Sequence, residues 1–116
     1  MILRRTDGAR AEELAAAFLV QRRLKIVERN WRCRGGEIDI VARDGDVLVF
    51  VEVRLRRYGN FGGAAESITA KKRARMVAAA DQYLASLDRT PACRFDAILL
   101  DALDADRIEW LKDVAV

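Results

Sequence analysis

Residues 36–54 read GEIDIVARDGDVLVFVEVR, and this stretch restricts the fold more than any other. Two runs rich in Ile, Val, Leu and Phe flank an Asp44-Gly45 step, the dipeptide that tight β-hairpins favour because their turn residues need a left-handed backbone. Residues 36–42 and 47–55 are therefore read as consecutive antiparallel strands joined at RDGD. Glu37, Asp39, Glu52 and Arg54 lie inside these otherwise apolar runs. Such carboxylates either form a solvated face or converge on something that needs negative charge.

Register decides between these arrangements, because side chains alternate across a strand. With Asp44 and Gly45 as the two loop residues, Arg43 pairs with Asp46, Val41 with Leu48, Asp39 with Phe50 and Glu37 with Glu52. One face then carries Glu37, Asp39, Val41, Leu48, Phe50, Glu52 and Arg54. Asp39 and Glu52 become diagonal neighbours about 7–8 Å apart, within reach of a shared ligand. Glu37 directly opposite Glu52 destabilises the hairpin unless a positive charge compensates. A hard divalent cation is one source of that charge, because Mg²⁺ binds through one or two carboxylates completed by waters and phosphates. Arg54 is the other, and would make a salt-bridge cluster.

The remaining pattern fills out one domain over residues 1–116, a length suited to one modest core. A first helix starts at Thr6 or Asp7, runs to Arg23, and turns Ala11, Leu14, Ala15, Phe18 and Leu19 inward. KIVERNWRC is the first strand. After the hairpin, RRYGNFGGAAES is a glycine-rich loop. A second helix follows Ser67 or Thr69 and reaches Leu87, with an inner stripe of Arg73, Met76, Val77, Ala80, Tyr83, Leu84 and Leu87. RFDAILLD and RIEWL are two further strands. The order is αβββαββ, an α/β single domain with a mixed sheet.

Composition narrows the chemistry. The chain has no histidine, which excludes histidine-based triads, zinc sites and general bases. Cys33 and Cys93 lack metal-site spacing and are read as ordinary reduced thiols of a cytoplasmic protein. The sequence shows no secretory h-region and no bilayer-length apolar run. Glycine motifs for nucleotides are absent, so no organic cofactor is expected. The net charge is only +3, but residues 54–75 gather Arg54, Arg56, Arg57, Lys71, Lys72, Arg73 and Arg75 against Glu66. Lys71, Lys72 and Arg73 open a helix whose N-terminus already carries partial positive charge. A nucleic-acid phosphate there would offset the repulsion. Tyr58 and Phe61 in the 55–67 loop are candidate anchors of a homodimer.

The segments RNWRCRGGEIDIVARDGDVLVFVEVRLR, KKRARM and RFDAILL resemble the YraN family of uncharacterised bacterial proteins. That family is described as Holliday-junction-resolvase-like and placed in the PD-(D/E)XK nuclease superfamily. The resemblance runs from Gly8 to about Trp110. It implies a restriction-endonuclease-like fold, with a central mixed sheet flanked by helices. It also implies a metal-dependent endonuclease that uses Mg²⁺ or Mn²⁺ on the phosphodiester bonds of structured or branched DNA. Asp39 fits the acidic residue of the first half of the nuclease motif, Glu52 the Glu of ExK, and Glu37 the Glu of GEID. Glu12, in GARAE, fits a further metal ligand or a residue that supports one. Lys71, Lys72, Arg73 and Arg75 fall in the basic helix start. In the superfamily, metal-bound carboxylates hold Mg²⁺, a water attacks the phosphodiester, and the lysine orients or activates that water.

Two residues depart from this pattern. Ala11 replaces a glycine, and Arg54 stands where lysine is usual. Arginine stays protonated and cannot act as a general base, although it can hold a phosphate or stabilise developing charge. Lys71 or Lys72 would substitute if the second helix points its start at the site. The alternative is a nucleic-acid-binding protein on a degenerate nuclease fold, with Arg56, Arg57, Lys71, Lys72 and Arg75 contacting phosphates without cutting.

Overall fold

The computed structural model describes residues 5–55 and 69–115. In chain order its elements are α1 (Arg5–Gln21), β1 (Lys25–Cys33), β2 (Gly36–Asp44), β3 (Val47–Leu55), α2 (Ala70–Ala85), β4 (Cys93–Leu100) and β5 (Ile108–Leu111), with a short 3₁₀ turn at Ala105–Arg107 before β5. The αβββαββ order is as the sequence implies. The strands lie in one sheet in the order β1-β2-β3-β4-β5. All neighbours are antiparallel except β3 and β4, which are parallel. A parallel pair needs a crossover, and α2 supplies it.

The two helices cover opposite faces. Ala11, Ala15 and Leu19 of α1 recur at helical spacing and pack on Ile40, Ala42, Val49, Val51, Ile98 and Leu100. On the other face, Ala79, Ala80 and Tyr83 of α2 pack on Ile38, Val41, Leu48 and Phe50. Tyr83 makes edge contacts with Trp31 and Phe50, with ring centroids 5.4 and 5.8 Å apart. Ala79, absent from the predicted inner stripe, is fully buried, whereas Arg73 and Val77 are only half-buried. β3 is therefore enclosed on both sides, which explains why VLVFV is apolar at every position. Among the described residues, no helix is long and apolar enough to cross a membrane.

The hairpin register differs from the sequence expectation. Asp44 pairs with Val47, so the two loop residues are Gly45 and Asp46, not Asp44 and Gly45. Gly45 has φ of 59°, the left-handed conformation that suits glycine in the first position of a tight hairpin turn. Asp44 stays in the ladder because its carboxylate accepts a hydrogen bond from Arg94 Nη2 at 3.0 Å. The register moves by two positions, so Glu37 does not oppose Glu52. Glu37 instead pairs across the β1–β2 ladder with Arg32.

Two tight features hold this frame. Asp96 of β4 is completely buried, and its oxygens accept from Arg94 Nε at 3.0 Å, Trp110 Nε1 at 3.0 Å and the Asp113 backbone N–H at 2.9 Å. It ties β5 and the residues after it to the sheet. Gly36, at the start of β2, lies hard against α2: a Cβ there would sit 2.6 Å from the Arg75 carbonyl oxygen.

Asp96→Ala strands three donors and is expected to lower stability by about 3–5 kcal/mol. Gly36→Ala must push α2 outward, with an expected loss of about 1–3 kcal/mol. Urea denaturation of both variants beside the wild type measures these losses.

Candidate functional site

The β2–β3 ladder stops at the Ile40–Val51 pair, and the next residues along are Asp39 and Glu52. Asp39 does not continue the ladder through its backbone. Its Oδ2 accepts a hydrogen bond from the Val53 N–H at 2.9 Å, so the side chain crosses toward β3. Strand alternation slips at the same place. Ile40 packs in the α1 cluster, yet Ile38, two residues earlier, packs in the α2 cluster. The neighbouring strand is irregular here too: β1 has a register shift between Ile26 and Glu28, and Asn30 is left-handed at φ 53°. These irregularities aim Asp39 at Glu52 rather than onto a flat face.

Glu52 points to the α2 face, two positions on from Phe50, and is only 3% exposed. A carboxylate buried that deeply needs a partner. Lys72, in the first turn of α2, supplies it, with Nζ 2.5 Å from Glu52 Oε1. Thr69 caps that turn by accepting from the Lys72 N–H at 3.1 Å, which fixes the backbone from which the lysine projects. The first turn of α2 contains no acidic residue.

The Asp39 and Glu52 carboxyl groups adjoin each other. The Asp39 carboxyl is pushed up to about 7, first by burial and then by the adjacent Glu52 charge. The Val53 N–H and Lys72 pull it back part of the way. Glu12, reaching in from α1, is also raised, by burial and then by Asp39; Asn30 and Arg29 oppose this. Arg29 Nη2 lies 4.0 Å from Glu12 Oε1. The acidic residues of α1, β2 and β3 thus sense one another although they are far apart in sequence.

The other expected site residues are placed around this pair. Glu37 is exposed, with Oε2 3.2 Å from Arg32 Nε. With Lys72, Arg75 and Met76 it lines a small cleft of about 70 Å³. Arg54 lies on β3 in register with Leu99 of β4, and Lys72 of α2 pairs with Glu52. Lys71 is exposed and Arg73 half-buried near the start of α2. Arg56, Arg57, Tyr58 and Phe61 lie outside the described residues, and with them the basic loop and the homodimer expectation. Among the described residues, no three His, Cys, Asp or Glu side chains come together as a ready-made metal cluster. Two adjacent carboxylates, Glu52 buried and Asp39 partly so, nevertheless fit a hard divalent cation, which needs few protein oxygens when waters and phosphate complete its shell. The roles of Asn30 and the Val53 N–H were not visible in the sequence. The first is a backbone irregularity and the second a main-chain donor, and neither leaves a side-chain signature.

Fold and site together define a small α/β protein with a buried acidic pair at the end of its central hairpin, faced by a lysine at a helix start. The family model described as "Uncharacterised protein family UPF0102" matches residues 11–100, which include Glu12, Asp39, Glu52 and Lys72, and the chain belongs to that family, the YraN family. It is 52% identical over 109 residues to a UPF0102 protein of Nitrosospira multiformis, covering 94% of this chain and 92% of the relative. A UPF0102 protein of Cupriavidus metallidurans is 54% identical over 108 residues, covering 92% of this chain and 78% of the relative. A third, from Nitrosomonas europaea, is 49% identical over 106 residues, covering 91% and 90%.

The raised Asp39 carboxyl gives a signed pH dependence. Because its folded value of about 7 lies above the ordinary 3.8, its contribution to stability is complete below about pH 4 and is lost as pH rises through 7. Asp39→Asn keeps an acceptor for the Val53 N–H and a donor for Glu52 without an ionisable proton. The variant is expected to be more stable than wild type at pH 8, and to lose less stability between pH 5 and pH 8. Urea midpoints at four pH values across that interval test this.

Proposed function

We propose that this protein is a divalent-metal-dependent endonuclease acting on the phosphodiester bonds of structured or branched DNA. The observation that carries the reading is the Asp39–Glu52 pair: two adjoining carboxylates, Glu52 buried and Asp39 half-buried, with a lysine ammonium against Glu52. Burying like charges side by side is costly, and structural carboxylates in this protein are treated differently. Asp96 is surrounded by fixed donors. Asp39 and Glu52 instead adjoin each other with the part-exposed Lys72 side chain at Glu52, an arrangement suited to exchange with a cation.

In this reading Asp39 and Glu52 hold the metal, Mg²⁺ or Mn²⁺, and Glu12 supports Asp39 through the electrostatic coupling between them. The bound ion supplies Lewis-acid chemistry: it polarises the phosphoryl oxygen and lowers the pKa of a coordinated water. The protein's own residues position the substrate. Arg75 and Lys72 line the cleft beside Glu37, and Lys71 and Arg73 extend positive charge along the start of α2, where helix N–H groups also favour phosphate. Arg54 is permanently charged, so its part is to neutralise a phosphate rather than to take a proton. Glu37, held by Arg32, borders the cleft.

The substitution of arginine for the usual lysine at position 54 favours a second reading, in which the site binds nucleic acid without cutting it. The two separate in one experiment. Labelled four-way junction, flap, duplex and single-stranded DNA are incubated with wild type and Asp39→Asn, in Mg²⁺, Mn²⁺ or chelator. The endonuclease reading expects cleavage of at least one branched substrate, lost in chelator and reduced by about 10³-fold or more in the variant. Binding that weakens steeply with salt, with no cleavage by either protein, would establish the second reading instead.

A further inference from the structure

The charge balance at the carboxylate pair gives Lys72 a more specific part. When fully ionised, Asp39 and Glu52 carry two negative charges. In the structure the Lys72 ammonium lies against Glu52, whose side chain is only 4% exposed. A divalent cation carries two positive charges and matches both carboxylates. In a buried site, where charge imbalance is costly, an ion held by both carboxylates leaves the ammonium without a role at Glu52. The geometry provides for its departure. The Lys72 side chain is about one-third exposed (36%) and lines the cleft with Glu37, Arg75 and Met76, while Glu52 is almost wholly enclosed. The lysine can move and the carboxylate cannot. Thr69 holds the backbone of Lys72, so the motion is confined to a flexible four-carbon side chain.

We propose that Lys72 is a displaceable counter-ion: it occupies Glu52 in the metal-free protein, a divalent cation at Asp39 and Glu52 takes its place, and the released ammonium swings into the adjacent cleft to meet a phosphate. This rests on the metal-dependent reading above and adds the coupling between metal loading and phosphate capture. Arg54 does not fill this role. Its guanidinium sits on the rigid strand that carries Glu52, whereas Lys72 comes from the helix opposite. Lys71 is exposed and, one residue earlier on the helix, points about 100° away around its axis.

The test needs no substrate. Mn²⁺ binding is measured by calorimetry for wild type, Lys72→Gln and Lys71→Gln. Loss of a competing charge in contact with the site is expected to tighten Mn²⁺ binding by about ten-fold or more in Lys72→Gln, and to leave Lys71→Gln within about two-fold of wild type. Equal or weaker binding by Lys72→Gln overturns the proposal, as does an absence of Mn²⁺ binding by all three proteins. A second measurement uses the unaltered protein. In ¹³C-lysine-labelled wild type, the Lys72 Cε signal, assigned by its absence from Lys72→Arg, is expected to shift as Mg²⁺ saturates the site. A Lys72 signal that stays fixed while Mg²⁺ binds overturns it. A protein that passes both tests but cuts no DNA refutes the endonuclease reading and leaves the displacement established.

Discussion

The central constraint on this molecule is a carboxylate on its most buried strand. β3 runs through the middle of the sheet with a helix on each face, and Glu52 interrupts its apolar run at a position 3% exposed to solvent. A charge placed there has to be neutralised from within the protein. The response involves several elements. α2 begins where its first turn delivers Lys72 to Glu52. β2 leaves its ladder so that Asp39 turns toward β3, where it accepts from the Val53 N–H beside Glu52. α1 brings Glu12 close enough to feel Asp39.

The position of α2 is set by packing on the C-terminal side of this contact. Tyr83, Ala79 and Ala80 seat its later turns on Phe50, Leu48 and Val41, and the Gly36 backbone accepts close approach at Arg75. Lys72 therefore reaches Glu52 from a helix whose distance to the sheet is fixed by apolar contacts, and the ion pair does not have to hold the helix in place.

The protein's carboxylates are neutralised in two different ways. Asp96 is fully enclosed and saturated by Arg94, Trp110 and a backbone N–H; it fastens the C-terminal strand. Glu52 is nearly as buried and Asp39 is half-buried, and both receive far fewer donors. Family membership agrees with the resemblance read from the sequence, and the matched region contains every residue of the acidic group.

Much of this was legible in the sequence, because it depends on local patterns. Alternating and continuous apolar runs specified the strands, the 3.6-residue recurrence of Ala11, Ala15 and Leu19 specified the first helix, and the αβββαββ order followed. Asp39, Glu52 and Lys72 were each named as site candidates from residue type and spacing. The hairpin register was not legible: an Asp-Gly step fits two turn alignments, and the choice was made by Arg94, fifty residues away, holding Asp44 in the ladder. The slip at Asp39, the Val53 N–H that receives it, and the pairing of Glu52 with Lys72 were likewise decided only by tertiary structure. Sequence determines which groups are available and which segments are strands or helices, because those depend on neighbours along the chain. Which carboxylate meets which cation depends on distances across the sheet and between its layers, and these exist only once the helices have packed.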